Sequence, residues 1–356
     1  MFDQQQQQQR VPTQPLHPSI LPRLDPEYIS FHTNHLQFLP LVYDKPWDPA
    51  FRAGPVVPGG TLPSRVGKLE DYNLTHTKLR AFTPPGDIPP SLSSSSTGWP
   101  VLIYFHGGGW TFGNIASEES FSSRMCLDAR CVVVSVDYRL APEHPYPAAV
   151  EDAIEALQWV VKNGKEKLNV DLTRIAVGGS SSGGNLAAVL ALQAPLLKPA
   201  LRHPIMFQLL IVPVTDNTST ASGKPSPHAS WERNVHTPWL SPARMLWFRN
   251  NYLPDEATRG EWRASPLLAP EEVVKGMLKA GKSKCWVAVT ELDILRDEGV
   301  AFSERLRKEG GGLVEVEVVE YKKCPHPIMA MDGVLEAGRR MVSDAGRALK
   351  KAFWDE

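Results

Sequence analysis

Cysteine is scarce in this 356-residue chain, with four in total: Cys126, Cys131, Cys285 and Cys324. None forms a C-x-x-C pair and no His/Cys group has zinc spacing, so a disulfide framework and a structural metal are both excluded as organising devices. Scattered reduced thiols fit an intracellular protein. Long apolar runs are missing as well; none reaches the ~18 to 20 residues of a membrane span. The start, MFDQQQQQQR, has neither the basic head nor the apolar run of a secretory signal, so a soluble, cytoplasmic protein is expected. Charge of one sign is lacking too. The formal net charge is −1, with no basic stripe of the kind a nucleic-acid binder shows.

What the chain does have is ordinary apolar content, 42%, in a length that one large domain can use to build a core. Residues 1–24, glutamine-rich and then proline-rich, bury too little apolar surface to order themselves and read as a disordered tail. GDIPPSLSSSSTGWP reads as a surface loop between strands. Beyond it, β-branched runs of buried-strand length (WPVLIYFHG, CVVVSVDY, RIAVGG, IMFQLLIVPV, KCWVAVTE) alternate with helical segments. In AAVEDAIEALQWVVKNG, Ala149, Ala153, Ala156, Leu157 and Val160 share one helical face. VEVEVVEY sets Val316 and Val318 against Glu315 and Glu317, the alternation of an edge strand. Strands alternating with helices predict a mostly parallel central sheet flanked by helices, in one α/β domain over 25–356. Two pieces stand outside that alternation, residues 25–55 and 215–264. Placed over the carboxyl edge of the sheet, where open α/β folds bind ligands, they would form a helical cap.

The chemistry is concentrated in AVGGSSSGGNLA, Ala176 to Ala187. A P-loop would require Gly-Lys where Gly184-Asn185 stands, and no frame supplies G-x-G-x-x-G, so neither a nucleotide nor any other cofactor is implied. The frame Gly179-Ser180-Ser181-Ser182-Gly183 satisfies G-x-S-x-G, a sharp strand-to-helix turn that raises a serine above a sheet. Strand-like RIAVG precedes it and helix-like GNLAAVLAL follows, which makes Ser181 the candidate nucleophile. A serine hydroxyl is a poor nucleophile at neutral pH and requires a base, itself oriented by an acid. In this architecture the order is serine, acid, histidine. Of His203, His228, His236 and His326, the last alone follows the acidic candidates and a late strand. Asp293, at the carboxyl end of CWVAVT, is the favoured acid, with Glu291 and Asp297 as the other claimants. Pro327 suits the first position of a helix through IMAMDGVLEAG, which would start beside His326. A histidine acting as base must be neutral, so activity should rise with pH through about 6 to 7. At the end of VLIYF, the run His106-Gly107-Gly108-Gly109-Trp110 offers backbone N–H groups that no side chain screens.

Taken together, HGGGW, VDYRLAPEHPYPAAVED, GSSSGGNLA and ELDILRDEG resemble the hormone-sensitive-lipase-like branch of the α/β-hydrolases, from about Leu36 to the end. The resemblance implies an α/β-hydrolase fold, a catalytic triad of Ser181, Asp293 and His326, and an oxyanion hole from the N–H groups of Gly108, Gly109 and Ser182. It implies a cap from the amino-terminal segment and the insertion after the sixth strand, and a small ester as the partner molecule. The chain departs from the family pattern in carrying Ser180 and Ser182 where aspartate and alanine flank the nucleophile, and Pro327-Ile328 where Gly-Phe follows the histidine. Relatives in this branch include non-catalytic hormone receptors without the triad histidine and dehydratases with an altered oxyanion motif. His326 and HGGGW are both intact here, which favours ester hydrolysis; a lactonase or deacetylase would use the same acyl chemistry.

Overall fold

The computed structural model describes residues 11–54, 57–89, 98–219, 226–280, 284–311, 314–326 and 328–354. Its strands are β1 Lys68–Asn73, β2 Lys78–Thr83, β3 Trp99–Phe105, β4 Val132–Asp137, β5 Val170–Ser180, β6 Ile205–Ile211, β7 Lys284–Thr290 and β8 Glu315–Tyr321. The helices are α1 Pro26–Asn34, α2 Glu119–Asp128, α3 Ala148–Leu168, α4 Ser182–Gln193, α5 Ser230–Arg233, α6 Pro242–Tyr252, α7 Glu271–Ala280, α8 Arg296–Gly310 and α9 Glu336–Trp354.

The strands form one sheet in the order β1-β2-β4-β3-β5-β6-β7-β8. The β1–β2 and β2–β4 pairs are antiparallel; from β4 to β8 every neighbour is parallel. β3 is buried along its whole length. Its alternation divides the core: Val101, Ile103 and Phe105 pack with α3 and α4 on one face, Leu102 and Tyr104 with α2 and α9 on the other. A strand covered on both sides needs no polar face, which is why WPVLIYF shows no in/out pattern. β8 pairs with β7 alone, at the sheet edge, where its alternation of Glu and Val leaves one face to solvent.

From β3 the chain runs to β4 on one side and then returns to β5 on the other. That reversal of strand order opens a crevice at the carboxyl ends of β3 and β5, the place where open α/β sheets take ligands. Phe105 is in register with Gly179, and Ser180 with Ile211, so the loop after β3, the turn after β5 and the loop after β6 emerge side by side.

Two expectations require correction. Residues 11–24 are not a solvated tail. Thr13 and Gln14 donate to the Gln37 carbonyl, and Ile20 and Leu24 are buried in the α2/α9 face of the core. Residues 1–10, like most of the serine-rich loop (90–97), lie outside the described residues. The helix read through IMAMDGVLEAG is instead a 3-10 turn, Ile328–Met331, with α9 starting only at Glu336. The Asp332 carboxylate accepts the Thr61 N–H at 2.7 Å and its hydroxyl at 2.6 Å, which anchors the break between the two. Pro327 itself lies outside the described residues.

Candidate active site

Ser181 occupies the turn between β5 and α4 with φ 53° and ψ −114°, a conformation that side-chain-bearing residues rarely adopt. Its neighbours make the turn possible. A Cβ on Gly183 would approach the Phe105 carbonyl oxygen to 2.0 Å, and one on Gly179 would reach the Gly183 carbonyl carbon at 2.3 Å. Both positions therefore demand glycine. The Ser181 N–H donates to the Ile211 carbonyl at 2.8 Å, and its own carbonyl accepts from Asn185 at 3.1 Å, so the strained residue is held from both sides.

His326 follows β8 and reaches back across β7. Its Nε2 lies 3.0 Å from Ser181 Oγ and its Nδ1 2.6 Å from Asp293 Oδ2. Asp293 is fully buried in the turn between β7 and α8, where its Oδ1 accepts the Leu295 N–H at 3.0 Å. With the carboxylate accepting at Nδ1, that nitrogen carries the proton and Nε2 is left to accept from the serine hydroxyl. The other acidic claimants are engaged elsewhere. Glu291 accepts the Lys323 N–H, while Asp297 accepts the Ser230 N–H and pairs with Arg233 and Arg296. The structure thus brings Ser181, His326 and Asp293 into one hydrogen-bonded chain.

The loop after β3 runs beside this chain. Gly108 and Gly109 have φ of 120° and 61°, and the Gly108 carbonyl is taken up by the N–H groups of Thr111 and Phe112. Trp110, also at positive φ, is buried and stacks on Tyr252 with ring centroids 4.4 Å apart. His106 stacks on Tyr138 at 4.3 Å, and its Nδ1 donates to the Gly107 carbonyl at 2.7 Å. Burial pushes His106 below the ordinary histidine range, so its ring is neutral. Ser182, the first residue of α4, is buried directly after Ser181.

Residues from the two segments outside the alternation meet over this loop. Trp47 packs against Trp247 and Phe112, each at 5.9 Å, and Phe112 meets Phe248 edge-on at 5.7 Å. Phe248 touches the loop itself: a Cβ on Gly109 would lie 2.3 Å from its Cγ. Met245 and Phe248 are buried, Trp247 half-buried.

Residues missed in the sequence hold these parts in place. Asn185 donates to the carbonyls of Val214 and Ala264, tying α4 to both ends of segment 215–264. Asn234 donates to the carbonyls of Glu291 and Asp293, bracing the acid turn. Glu118, in the loop before α2, accepts from three separate donors around the elbow. A lone polar residue in a loop carries no local signal of such a role.

Residues 102–330 match the family described as having an alpha/beta hydrolase fold. The chain belongs to the hormone-sensitive-lipase-like α/β-hydrolases. It is similar to an AB hydrolase superfamily protein of Schizosaccharomyces pombe, 42% identical over 95% of this chain and 97% of that one. It is also similar to a carboxylesterase of Mycobacterium tuberculosis, 34% identical over 79% and 80% of the two chains. A solved thermostable esterase from Pseudomonas putida superposes with a TM-score of 0.76 at 30% identity, covering 94% of this α/β-hydrolase and 99% of the other chain. Among the described residues no helix is long and apolar enough to cross a membrane, and no His/Cys/Asp/Glu group is arranged to hold a metal.

Proposed function

We propose that this α/β-hydrolase cleaves carboxylic esters of small, apolar substrates through an acyl-enzyme on Ser181. The observation that carries the reading is the chain of contacts from Ser181 Oγ through the His326 ring to Asp293, at 3.0 and 2.6 Å. His326 Nε2 takes the hydroxyl proton as Ser181 attacks the ester carbonyl, and Asp293 stabilises the imidazolium that results. The N–H groups of Gly108, Gly109 and Ser182 receive the oxyanion; donors already fixed in the fold need no reorganisation as charge develops. His326 returns its proton to the departing alcohol, then activates a water that releases the acid.

Segments 25–55 and 215–264 act as a cap on a single catalytic domain. Their aromatic side chains Trp47, Trp247 and Phe248 pack on Phe112 of the oxyanion loop and cover that loop with apolar surface, which favours an apolar substrate.

The test is hydrolysis of p-nitrophenyl esters from acetate to decanoate by the wild type and by Ser181→Ala. The variant is expected to lose ~10⁴ to 10⁶ in kcat on every chain length. Turnover by Ser181→Ala at the wild-type rate would end the reading.

A further inference from the structure

Three donors from separate parts of the site converge on one carboxylate. Glu118 Oε1 accepts the Ser180 hydroxyl at 2.7 Å and the Gly107 N–H at 3.1 Å, and its Oε2 accepts the Tyr104 hydroxyl at 2.7 Å. Tyr104 is the penultimate residue of β3, Gly107 opens the glycine loop and Ser180 immediately precedes Ser181. The site is fitted to the carboxylate: a Cβ on Gly107 would lie 2.6 Å from Ser180 Oγ and 3.3 Å from Glu118 Oε1. Burial, and then the adjacent Glu118 charge, push the Tyr104 phenol well above its usual value, so it remains a donor.

We propose that Glu118 is a positioning residue whose carboxylate clamps the glycine loop to the nucleophile elbow, fixing the spacing between the Gly108 and Gly109 donors on one side and Ser181 and Ser182 on the other. The proposal rests on the serine-hydrolase reading above. The two halves of the oxyanion hole come from different strands, β3 and β5. The strand register ends at Phe105 and Gly179, short of both sets of donors. Beyond that point Glu118 is the side chain that bridges them, bonded to Tyr104 and Gly107 on one side and to Ser180 on the other. Misplacing reacting groups by about 1 Å costs up to ~10²-fold in rate. Hydroxyls can reverse donor and acceptor, but the Gly107 N–H cannot. A glutamine can therefore substitute in part: its oxygen keeps Gly107 and Ser180, and its amide donates to the Tyr104 oxygen. Alanine keeps none of the three.

The experiment uses the full chain and compares wild type, Glu118→Ala, Glu118→Gln, Ser180→Ala and Ser181→Ala on p-nitrophenyl acetate. Alongside are inhibition by a trifluoromethyl ketone, whose adduct places an oxyanion in the hole, and thermal melting. Glu118→Ala is expected to lower kcat ~10 to 100-fold with KM within ~2-fold, and to weaken the ketone by the same factor as kcat/KM. Glu118→Gln should return kcat to within ~3-fold of wild type, and Ser180→Ala should lose ~3 to 10-fold. A purely structural role would shift melting without this kcat-against-KM split and without the ketone effect; that result overturns the clamp. Full kcat in Glu118→Ala does the same, provided Ser181→Ala is inactive. Should Glu118→Ala not fold, Ser180→Ala carries the test, and its full activity overturns the clamp. Turnover by Ser181→Ala would instead bring down the serine-hydrolase reading, and the clamp with it.

Discussion

Among the described residues, two aspartate–histidine pairs are buried. In one, Asp293 lies 2.6 Å from His326; in the other, Asp216 lies 2.8 Å from His228. All four residues are under a tenth exposed, so pairing and burial do not tell the two apart. The difference lies in what surrounds each pair. His326 gives its Nδ1 to the carboxylate and presents Nε2 to a serine held at positive φ. His228 gives its Nε2 to Asp216, whose other oxygen is committed to the N–H and hydroxyl of Thr218. The backbone of Thr215 and Asp216 is in turn held by Glu298 of α8. The second pair closes a hydrogen-bonded turn that secures the start of segment 215–264, whereas the first ends on a strained hydroxyl. An acid–histidine pair becomes a base only through the group its remaining nitrogen faces.

The strongest way to break this comparison is to remove each histidine in turn. His326→Ala should lower kcat on p-nitrophenyl acetate by ~10⁴ to 10⁶. His228→Ala should keep kcat within ~10-fold and lose about 1–3 kcal/mol of stability, the cost of a buried hydrogen-bonding group left unpaired. Equal kinetic losses would erase the distinction. Next in size are the acids. Asp293→Asn should cost ~10⁴ in kcat, because the amide no longer fixes the tautomer that leaves Nε2 free. Asp216→Asn still accepts from Thr218 and should stay within ~3-fold of wild type. Steady-state kinetics on both purified variants decides it.

The contrast between the pairs also shows what a sequence reveals. The sharp turn at Ser181 was legible because it is a local device: glycines at 179 and 183 answer to close contacts within a few residues and one neighbouring strand. The meeting of His326 and Asp293 beside Ser181 was legible through chain order and strand ends, which the parallel sheet converts into neighbours. The edge position of β8 was legible through its alternation. Glu118 was not, because its partner Ser180 lies 62 residues away and no spacing rule links them. Residues 11–24 were misread for a related reason. Their average composition is that of a tail, yet Ile20 and Leu24, two apolar side chains among prolines, join the buried cluster on the α2/α9 side of the sheet. The break before α9 depends on Thr61, 271 residues from Asp332, and a helical pattern carries no trace of it.

A third intervention strikes the proposed oxyanion loop without touching either pair. Gly109 sits at φ 61° with Phe248 against it, so Gly109→Ala meets both an unfavourable backbone conformation and a ring 2.3 Å away. The expected loss is ~10² in kcat/KM, the order of one displaced oxyanion donor. Removing the ring as well, in Gly109→Ala/Phe248→Ala, should recover part of that loss but not all. The left-handed conformation still costs alanine roughly 1–2 kcal/mol. Full recovery would mean that the clash with segment 215–264, and not the loop's own conformation, was the whole effect.

The smallest effect probes the second pair alone. Burial, and then the Asp216 charge, push Glu298 well above the usual carboxylate range. Burial would also raise Asp216, but hydrogen bonds from His228 and Thr218 outweigh it and hold Asp216 below that range. A raised folded value means the folded state binds the Glu298 proton more tightly than the unfolded chain does. Its contribution is therefore fully present below about pH 4.3, the unfolded value, and is lost as pH rises through the folded one. Glu298→Gln cannot titrate, yet its amide oxygen can still accept the N–H groups of Thr215 and Asp216. Thermal melting of the two chains should diverge as pH rises from 5 toward 8, with the glutamine variant the more stable. Asp71, Asp216, Asp297 and Glu320, all held low by their partners, contribute stability that is lost only as pH falls below the ordinary carboxylate range and through their depressed values, in both chains alike. Parallel melting curves across pH 5 to 8 would show that Glu298 is as readily ionised in the fold as in water, and that the second pair stands beside an ordinary carboxylate.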